Sequence, residues 1–472
     1  MRPISPLLPL ALSLSLTALL GAGCASLAPP YEAPPLPVAA HYEQPSEAGT
    51  DAASTGWRDY FDEPRLQRLI EQALANNRDL RQATLRVAEA RAAAGLQHAE
   101  RLPTLAAQAG EDRSRVPADL NLTGRPLLGS QYQVGLGLAS WELDFWGRVR
   151  SLDDAALQNY LASAAARRAA SLALIAQVAS ADLALRELDE RLALARQTTA
   201  SRAETLRIFT RRVEVGATSR LNLTQVQTLY TQAQALGAQL EQARAAQAQA
   251  LTLLVGTPLE LPPQPLGEQP LFGALRSGLP AELLLARPDI LAAEHQLRAA
   301  QANIGAARAA FFPRIALTAS LGTASAELGG LFDSGSQAWT FAPRISLPLF
   351  DGGRRRLNLS LAEARRDQAI AGYEKAVQAA FRDVNDALSA EHWLAEQLTI
   401  AEAALAAQRE RARLSQLRFD NGAAAFLEVL DAQRDLLAAE QLRVQVRRAL
   451  LSSRIGLYAA LGGGALAPQP NP

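Results

Sequence analysis

Two stretches of sequence decide the fold: GATSRLNLTQVQTLY, which begins at Gly216, and GAAAFLEVLDAQRDLL, which begins at Gly422. The first runs on to Gly256 and the second to Gly462, so the spacing from glycine to glycine is the same in both. Self-similarity of this kind indicates an internal repeat, in which each copy is one structural unit. The matching positions include Leu221 and Leu427, Leu223 and Val429, and Gln227 and Gln433.

Two further pairs of landmarks support the repeat. DFWGR ends at Arg148 and FDGGR ends at Arg354, and each is predicted to open a very long helix. Pro103 and Pro313 each follow a helical stretch, which proline cannot continue. The 472-residue chain therefore contains two copies of one unit. We expect a first repeat over 63–256, a Pro-rich linker over 257–279 and a second repeat over 280–462.

Each copy is predicted to contain a helix, two short strands and a long helical hairpin. Apolar residues at three- and four-residue spacing indicate a single first helix over roughly 63–100, with a counterpart near 280–310. The long helix that follows, roughly 150–213 in the first copy, spans about 95 Å, which favours coiled-coil packing. The hairpins turn at Gly216 and Gly422, where we expect positive φ. We expect strands at about 102–114, 130–143, 312–324 and 338–350.

The predicted strands alternate between apolar and polar residues, which gives each strand one apolar face. Their length of about 10–12 residues suits strands that cross a bilayer. Four strands cannot close a barrel, and an open sheet in lipid leaves backbone groups unpaired. If these strands span a membrane, several chains must share one barrel. A soluble sheet packed on helices is the alternative, and the strands alone do not separate the two.

The N-terminus has the pattern of a secretory signal. A short apolar stretch over Leu7–Leu20 precedes small residues, which indicates a signal peptide over 1–23. Cys24, the only cysteine, is then expected to be acylated and to tether 24–62 to the membrane; a free thiol is the alternative. No later run of 18 apolar residues appears, so we expect no further membrane-spanning helix. The tail over 463–472 is predicted to be disordered.

Composition and missing motifs exclude several functions. Lys+Arg and Asp+Glu number 47 each, so the chain has no basic footprint for nucleic acid. The four histidines are scattered and no cysteine pair exists, so we expect no metal site. No phosphate-binding glycine motif and no nucleophile elbow appears. We therefore expect no cofactor and no enzymatic activity.

Five motifs carry a resemblance to a known family. They are WRDYFDEPRLQRLIEQALANNRDLR from Trp57, WELDFWGRVRS from Trp141, LPAELLLARPDILAAEHQLRAAQANIGAARAAFFPRIALTAS from Leu279, LPLFDGGRRR from Leu347 and FDNGAAAFLEVLDAQRDLL from Phe419. The chain resembles the outer membrane factors, the TolC-like family, and within it the efflux lipoproteins of the NodT and OprM type. The resemblance covers nearly the whole mature chain.

The resemblance implies a mainly α fold with a small β part. Two tandem repeats would give a long α-helical (coiled-coil) barrel in the periplasm. A transmembrane β-barrel would be shared between the protomers of a homotrimer, with four strands per chain. The linker and both termini would form a belt around the tunnel. The protein would lie in the outer membrane, anchored to its lipid.

The function that the resemblance implies is a passive exit duct in a tripartite efflux system. Its partners would be a periplasmic adaptor and an inner-membrane RND-type pump, whose docking opens the duct. The cargo would be drugs or other small molecules. A duct for type I protein secretion and a structural periplasmic lipoprotein without a pore are the alternatives.

The resemblance also implies a periplasmic aperture ringed by acidic side chains. These acids map to Glu428 and Asp431, which lie on one helix face at i and i+3. Rings of carboxylates favour cations; an ordinary solvated pair at a helix N-terminus is the alternative. The first-repeat equivalents are Asn222 and Gln225.

A tyrosine–arginine latch of the family has no direct counterpart here. Phe419 and Ala424 stand where the tyrosine and the arginine would be. We expect Arg418 or Arg220 to substitute through other contacts.

Two further groups of residues are candidate contact sites. The hairpin turns have small side chains that suit docking of the adaptor, although a permissive turn explains them equally well. These turn residues are Gly216, Ala217, Thr218, Ser219, Gly422, Ala423 and Ala425. An interfacial aromatic girdle is predicted from Trp141, Trp339 and Phe341, with core packing as the alternative.

Overall fold

The computed structural model describes residues 26–46, 49–267 and 272–467. The predicted signal peptide, Cys24 and the last residues of the tail lie outside these ranges. The chain divides into two compact units. Of the described residues, one unit contains 26–35, Val87–Ser163 and Ala293–Tyr373, and the other contains those within Leu36–Arg86, Ala164–Ala292 and 374–467. Each unit thus draws on both repeats.

The first repeat follows the predicted order of elements. After a two-residue strand come three helices, two long strands and a helical hairpin. Their bounds are β1 Thr50–Asp51, α1 Trp57–Tyr60, α2 Pro64–Asn76, α3 Arg78–Ala99, β2 Leu105–Val116, β3 Leu127–Glu142, α4 Arg148–Glu214 and α5 Arg220–Val255.

The second repeat has the same order, except that two α-helices instead of three precede its long strands. Its bounds are β4 Leu275–Arg276, α6 Leu283–Ala286, α7 Pro288–Ala309, β5 Arg314–Ser325, β6 Gln337–Ser346, α8 Arg354–Asp420 and α9 Phe426–Ala460. The equivalent helices α4 and α8 have 67 residues each, and α3 and α7 have 22 residues each.

The prediction of one continuous helix over 63–100 is wrong, because the chain leaves the helix at Asn77, which has a ψ of 130°. The Asn77 side chain accepts from the Leu80 N–H at 2.9 Å and donates to the Leu254 carbonyl at 2.8 Å. It therefore caps the start of α3. The counterpart helix is interrupted in the same way at Arg287, because Pro288 disfavours helical geometry in the residue before it.

Strands from both repeats form one antiparallel sheet in the order β2-β3-β5-β6. The two repeats meet where β3 pairs with β5, and a bulge shifts that register between Leu138 and Trp141. Strands β2 and β6 are the edges of the sheet. Long edge strands expose unpaired backbone N–H and C=O groups, which native proteins pair or cover.

A buried carboxylate of α4 lies next to an arginine at the start of α2. Asp182 on α4 is fully buried, and its Oδ1 lies 3.2 Å from Nη2 of Arg65. Neither carboxylate oxygen of Asp182 has a hydrogen-bond partner among the described residues. Burial therefore raises the pKa of Asp182 to about 6, although Arg65 and Arg186 act in the opposite direction.

We expected no later membrane-spanning helix from the sequence, but one described helix is long and apolar enough to cross a membrane by length and composition. Over the described residues, Arg148–Glu214 contains an 18-residue window with a mean hydropathy of 1.3. The residues of that window are 39% buried within the chain. Its alanine content raises the mean hydropathy without an uninterrupted apolar run. A single such window is weak support for a membrane helix, because core helices have the same composition.

Candidate functional site

Both hairpin turns end a 67-residue helix in the same way. Gly216 and Gly422 have φ values of 75° and 73°, so the predicted positive φ is confirmed. The Ala217 N–H donates to the Arg212 carbonyl at 2.7 Å, and the Ala423 N–H donates to the Arg418 carbonyl at 2.8 Å. These bonds are those of the Schellman motif, which satisfies carbonyls at a helix C-terminus. A Cβ on either glycine would meet no atom within 4 Å, so backbone conformation alone requires glycine.

The two return helices differ in how their N-termini are capped. In the first turn, the Ser219 hydroxyl accepts from the Asn222 N–H at 3.2 Å, and the Asn222 amide donates to the Thr218 hydroxyl at 3.0 Å. In the second turn, Ala425 occupies the N-cap and has no side chain that could accept. The first return helix is thus capped by side chains, whereas the second starts without such a cap.

Each predicted aperture acid is paired with an arginine of its own chain. Glu428 lies 2.9 Å from Arg418 Nη1, and Asp431 lies 3.0 Å from Arg434 Nη1. Arg418 also donates to the Ala423 carbonyl at 3.2 Å, so it spans the second turn. Whether Arg418 replaces the arginine of the family's latch is not decided by this contact, so that substitution stays a prediction. Both pairs are partly exposed, so solvent screens the two charges and each pair contributes little to stability.

The neutral residues that are predicted to line the aperture occupy the equivalent place on the first hairpin. Asn222 and Gln225 lie in the first two turns of α5 and are both half-buried. Val226, the next residue along, is buried in a cluster with Leu430 of the second hairpin. That cluster therefore brings the first turns of α5 and α9 together.

The cluster is aromatic and joins the two hairpins near their turns. Phe209, Val226 and Leu430 are buried at its centre, and Phe419 and Phe426 pack against it. The ring centroids of Phe209 and Phe426 lie 4.3 Å apart, and those of Phe419 and Phe426 lie 4.8 Å apart. We call these five residues the tip cluster. The sequence motifs single out Phe419 but neither Phe209 nor Phe426, and the matching positions in the other repeat, Ser415 and Arg220, are not aromatic.

The three residues predicted to form an aromatic girdle lie on one face of the sheet but at different positions along the strands. Trp141 pairs with Leu317 of β5, whereas Phe341 pairs with Ala319 and Trp339 with Leu321. Trp141 and Trp339 are therefore separated by about 13 Å along the strand direction. Trp339 and Phe341 are exposed, and Trp141 donates from its indole to the Arg101 carbonyl at 3.2 Å. Their role as a girdle remains a prediction.

The segment that follows Cys24 lies along α7. The Tyr31 hydroxyl donates to Glu294 at 2.9 Å, and the guanidinium of Arg298 lies 4.5 Å from the Tyr31 ring centroid. Towards the end of α7, Arg308 donates to the Leu27 carbonyl at 3.4 Å. From Tyr31 back to Leu27, the segment thus approaches the end of α7 that leads into β5. We call residues 26–35 the tether.

Among the described residues, no group of three or more His, Cys, Asp or Glu side chains forms a cluster that could hold a metal ion. Two of the histidines contact side chains distant in sequence: His98 Nδ1 lies 3.0 Å from Asp153 Oδ2, and His295 Nδ1 lies 2.7 Å from Gln158 Oε1.

Comparisons with known proteins agree with this geometry. The sequence model of the outer membrane efflux protein family matches residues 69–257 and 279–463. The chain is 43% identical to the solvent efflux pump outer membrane protein SrpC of Pseudomonas putida over 461 residues, which cover 96% of this chain and 98% of that protein. It is 44% identical to the outer membrane protein OprJ of Pseudomonas aeruginosa over 447 residues, which cover 94% of this chain and 93% of that protein.

A solved structure shows the same fold. The open state of the MtrE outer membrane channel of Neisseria gonorrhoeae matches with a TM-score of 0.84 and 40% identity. The match covers 93% of this chain and 99% of that one. Family, relatives and fold agree over nearly the full length. The chain therefore belongs to the outer membrane efflux protein family and is the outer-membrane channel component of an efflux system.

Proposed function

We propose that three copies of the chain form a passive exit duct across the outer membrane. The observation that carries this proposal is the four-stranded sheet, which has two open edges and an exposed apolar face. Leu136, Leu321 and Trp339 on that face are 57%, 57% and 71% exposed. Lipid would cover the face, and edge β6 of one copy would pair with edge β2 of the next. Three copies supply twelve strands, enough to close a barrel and leave no edge.

The partners follow from the same proposal. A periplasmic adaptor would dock on the hairpin turns, where Ala217, Ser219, Ala423 and Ala425 are exposed. An inner-membrane RND-type pump would supply the energy, because the duct itself is passive. Relatives are named for the efflux of solvents, toluene and antibiotics, which supports small molecules as cargo. We propose no catalytic activity, no cofactor and no nucleic-acid partner.

Glu428 and Asp431 would ring the periplasmic aperture, with Asn222 and Gln225 beside them. In a trimer the two acids would bring six carboxylates into a narrow lumen, where they would attract cations. Arg418 and Arg434 neutralise part of that charge within each chain. The duct would therefore prefer cations moderately.

A lipid anchor at Cys24 suits the course of the tether. The tether lies against the end of α7 that leads into β5, so it would present Cys24 at the membrane-proximal end of the strands. Trp141, Trp339 and Phe341 would contact lipid on the apolar face.

The two alternative functions have less support. A structural lipoprotein without a pore would have no use for long strands with an exposed apolar face. Type I secretion shares the duct architecture, but the matched relatives are named as efflux pump components.

Single-channel conductance in a planar bilayer tests the proposal. We expect the purified protein to give a small conductance with moderate cation preference. Glu428→Ala/Asp431→Ala is expected to raise the conductance and to lose the preference. The isosteric variant Glu428→Gln/Asp431→Asn separates charge from size and is expected to lose the preference alone. No conductance from correctly folded, inserted wild-type protein would refute the duct.

A further inference from the structure

A cavity of about 470 Å³ opens between long helices of one compact unit. Helices α4, α8 and α9 surround it, together with the segment that leads into α7. Pockets that bind small organic molecules have volumes of about 300–1,000 Å³, so the size of this cavity fits such a ligand. Its lining residues come from distant parts of the chain and lie within 169–173, 287–289, 383–387 and 456–460.

Part of the lining is apolar and consists of small side chains. Helix α4 contributes Ala169, Leu172 and Ala173, and α9 contributes Gly456 and Ala459. A Cβ on Gly456 would meet no heavy atom within 4 Å, so a side chain at this position would extend into open space. Glycine within a helix is also less favourable than alanine. The apolar wall therefore keeps a space open at some cost to helix stability.

The charged part of the lining has three carboxylates and one guanidinium. Asp289, Asp383 and Asp386 line the cavity together with Arg287. The side chain of Arg287 is only 10% exposed, and it pairs with Asp289 at 2.6 Å and with Asp383 at 3.3 Å. The side chain of Asp386 is 75% exposed, and its Oδ2 lies 3.7 Å from Nε of Arg382. A molecule in the cavity would thus meet more negative than positive charge.

The cavity lies on the face of α8 and α9 that the N-terminal part of the chain leaves uncovered. Phe381 of α8 stacks on the ring of Tyr42, and Tyr458 of α9 stacks on that of Tyr60. An α-helix turns about 100° per residue. The lining residues at positions 383 and 456 are each two residues away from these stacked rings, which places them about 200° around their helices. The covered face and the cavity are therefore on opposite sides.

We propose that this cavity binds small amphipathic organic cations, in which a positive charge lies next to an apolar group. The apolar group would pack on Leu172, Ala173 and Gly456, and the positive charge would lie beside Asp383 and Asp386. Exposed ion pairs contribute little in water, and a wall of small side chains buries little area. A molecule that makes both contacts is therefore preferred to one that makes only one of them. An anion of the same size would meet the carboxylates and be rejected.

The side from which a ligand enters rests on the proposed function. A layer of chain on the lumen side of the helices would obstruct a duct, so the N-terminal part would lie outside the helices. The cavity would then open into the lumen, where cargo passes. A weak site in the wall would raise the local concentration of cationic cargo inside the duct.

Isothermal titration calorimetry of the full-length oligomer in non-ionic detergent tests the site. The probe is benzyltriethylammonium, which has a positive charge and an aromatic ring. Benzenesulfonate has the ring with a negative charge, and tetramethylammonium has the positive charge without the ring. We expect both to bind at least tenfold more weakly than the probe, after subtraction of a titration into detergent alone. No binding of the probe, or equal binding of either comparison compound, would overturn the inference.

A charge variant shows whether binding occurs at this cavity. Asp383→Asn/Asp386→Asn keeps the shape of both side chains and is expected to weaken binding of the probe at least tenfold. Glu396→Gln/Glu402→Gln is the matched control, because both glutamates are exposed on α8 and lie outside the lining. Equal losses in the two double variants would assign binding to the general negative charge of the helix and contradict the site.

A second variant fills the cavity and leaves its charges in place. Gly456→Leu is expected to abolish binding of the probe. Gly372→Leu is its control, since Gly372 is also an exposed helical glycine around which a Cβ would meet no heavy atom within 4 Å. Unchanged binding by folded Gly456→Leu protein would place the ligand elsewhere.

Conductance of the same wild-type preparation separates this inference from the proposed duct. If the protein conducts but does not bind the probe, the inference fails and the duct stands. If the protein binds the probe but does not conduct, the cavity is confirmed as a cation site, and the duct and entry from its lumen are refuted.

Discussion

Phe209→Ala removes the ring at the centre of the tip cluster. Phe209 is 4% exposed, and its ring lies 4.3 Å from that of Phe426 on the other hairpin. Replacing a buried phenylalanine by alanine costs about 3–5 kcal/mol. The partly exposed pair of Arg418 with Glu428 contributes less than about 1 kcal/mol. The cluster, rather than the ion pair, is therefore expected to hold the two hairpins of a chain together at the closed aperture.

The effect on opening follows from the number of copies. If about 1 kcal/mol of the loss per chain falls on the closed state alone, three copies shift the opening equilibrium by about 3 kcal/mol. That corresponds to roughly a hundredfold change in the ratio of open to closed channels. Single-channel recording measures this ratio, and we expect Phe209→Ala to raise the open probability markedly.

A matched control separates opening from general destabilisation. Leu192 is also 4% exposed, but its cluster with Ala195 and Leu240 lies within the first hairpin. Leu192→Ala is expected to lower the unfolding temperature without raising the open probability. If Phe209→Ala leaves the open probability unchanged, or if both variants raise it equally, the tip cluster does not hold the aperture closed.

Three further predictions concern charge, pH and the turns. Arg418→Ala leaves Glu428 unpaired, so cation selectivity should rise, as the reversal potential in a salt gradient measures; unchanged selectivity would place Glu428 outside the lumen. Burial raises the pKa of Asp182 to about 6, so the folded state binds a proton more tightly than the unfolded state does. The stability that this proton contributes is complete near pH 4 and is lost as the pH rises through 6. The wild type should therefore lose up to about 3 kcal/mol from this group over that window, and Asp182→Asn should flatten the dependence in unfolding experiments; an unaltered slope would contradict it. Gly422→Ala should cost about 1–2 kcal/mol of stability in thermal unfolding, because φ is 73°, and no loss would show that the turn adapts.

The repeated features of the fold were predictable from the sequence. Gly216 and Gly422 mark turns at the same place in two similar stretches, and alternation revealed the strands that the sheet contains. The break at Asn77 was not predictable, because the apolar periodicity continues through it. Asn77 leaves the helix to cap α3 and to bond with Leu254, a residue far away in sequence.

The candidate site was predictable only where the two repeats share a pattern. Glu428 and Asp431 followed from the aligned context, but their pairing with Arg418 and Arg434 depends on the fold around the turn. The tip cluster was missed because Phe209 lies far from Phe426 in sequence and has no aromatic equivalent in the second repeat. Contacts between the hairpins bring them together, and no periodicity within one helix reports such contacts.

In the proposed duct, each chain supplies one third of a shared channel. The number of chains per particle tests it most directly, and native mass spectrometry of the protein extracted from outer membranes in mild detergent measures that number. We expect three chains, because four strands per chain leave both edges of the sheet open and three copies can close them. A folded particle that contains a single chain would contradict it.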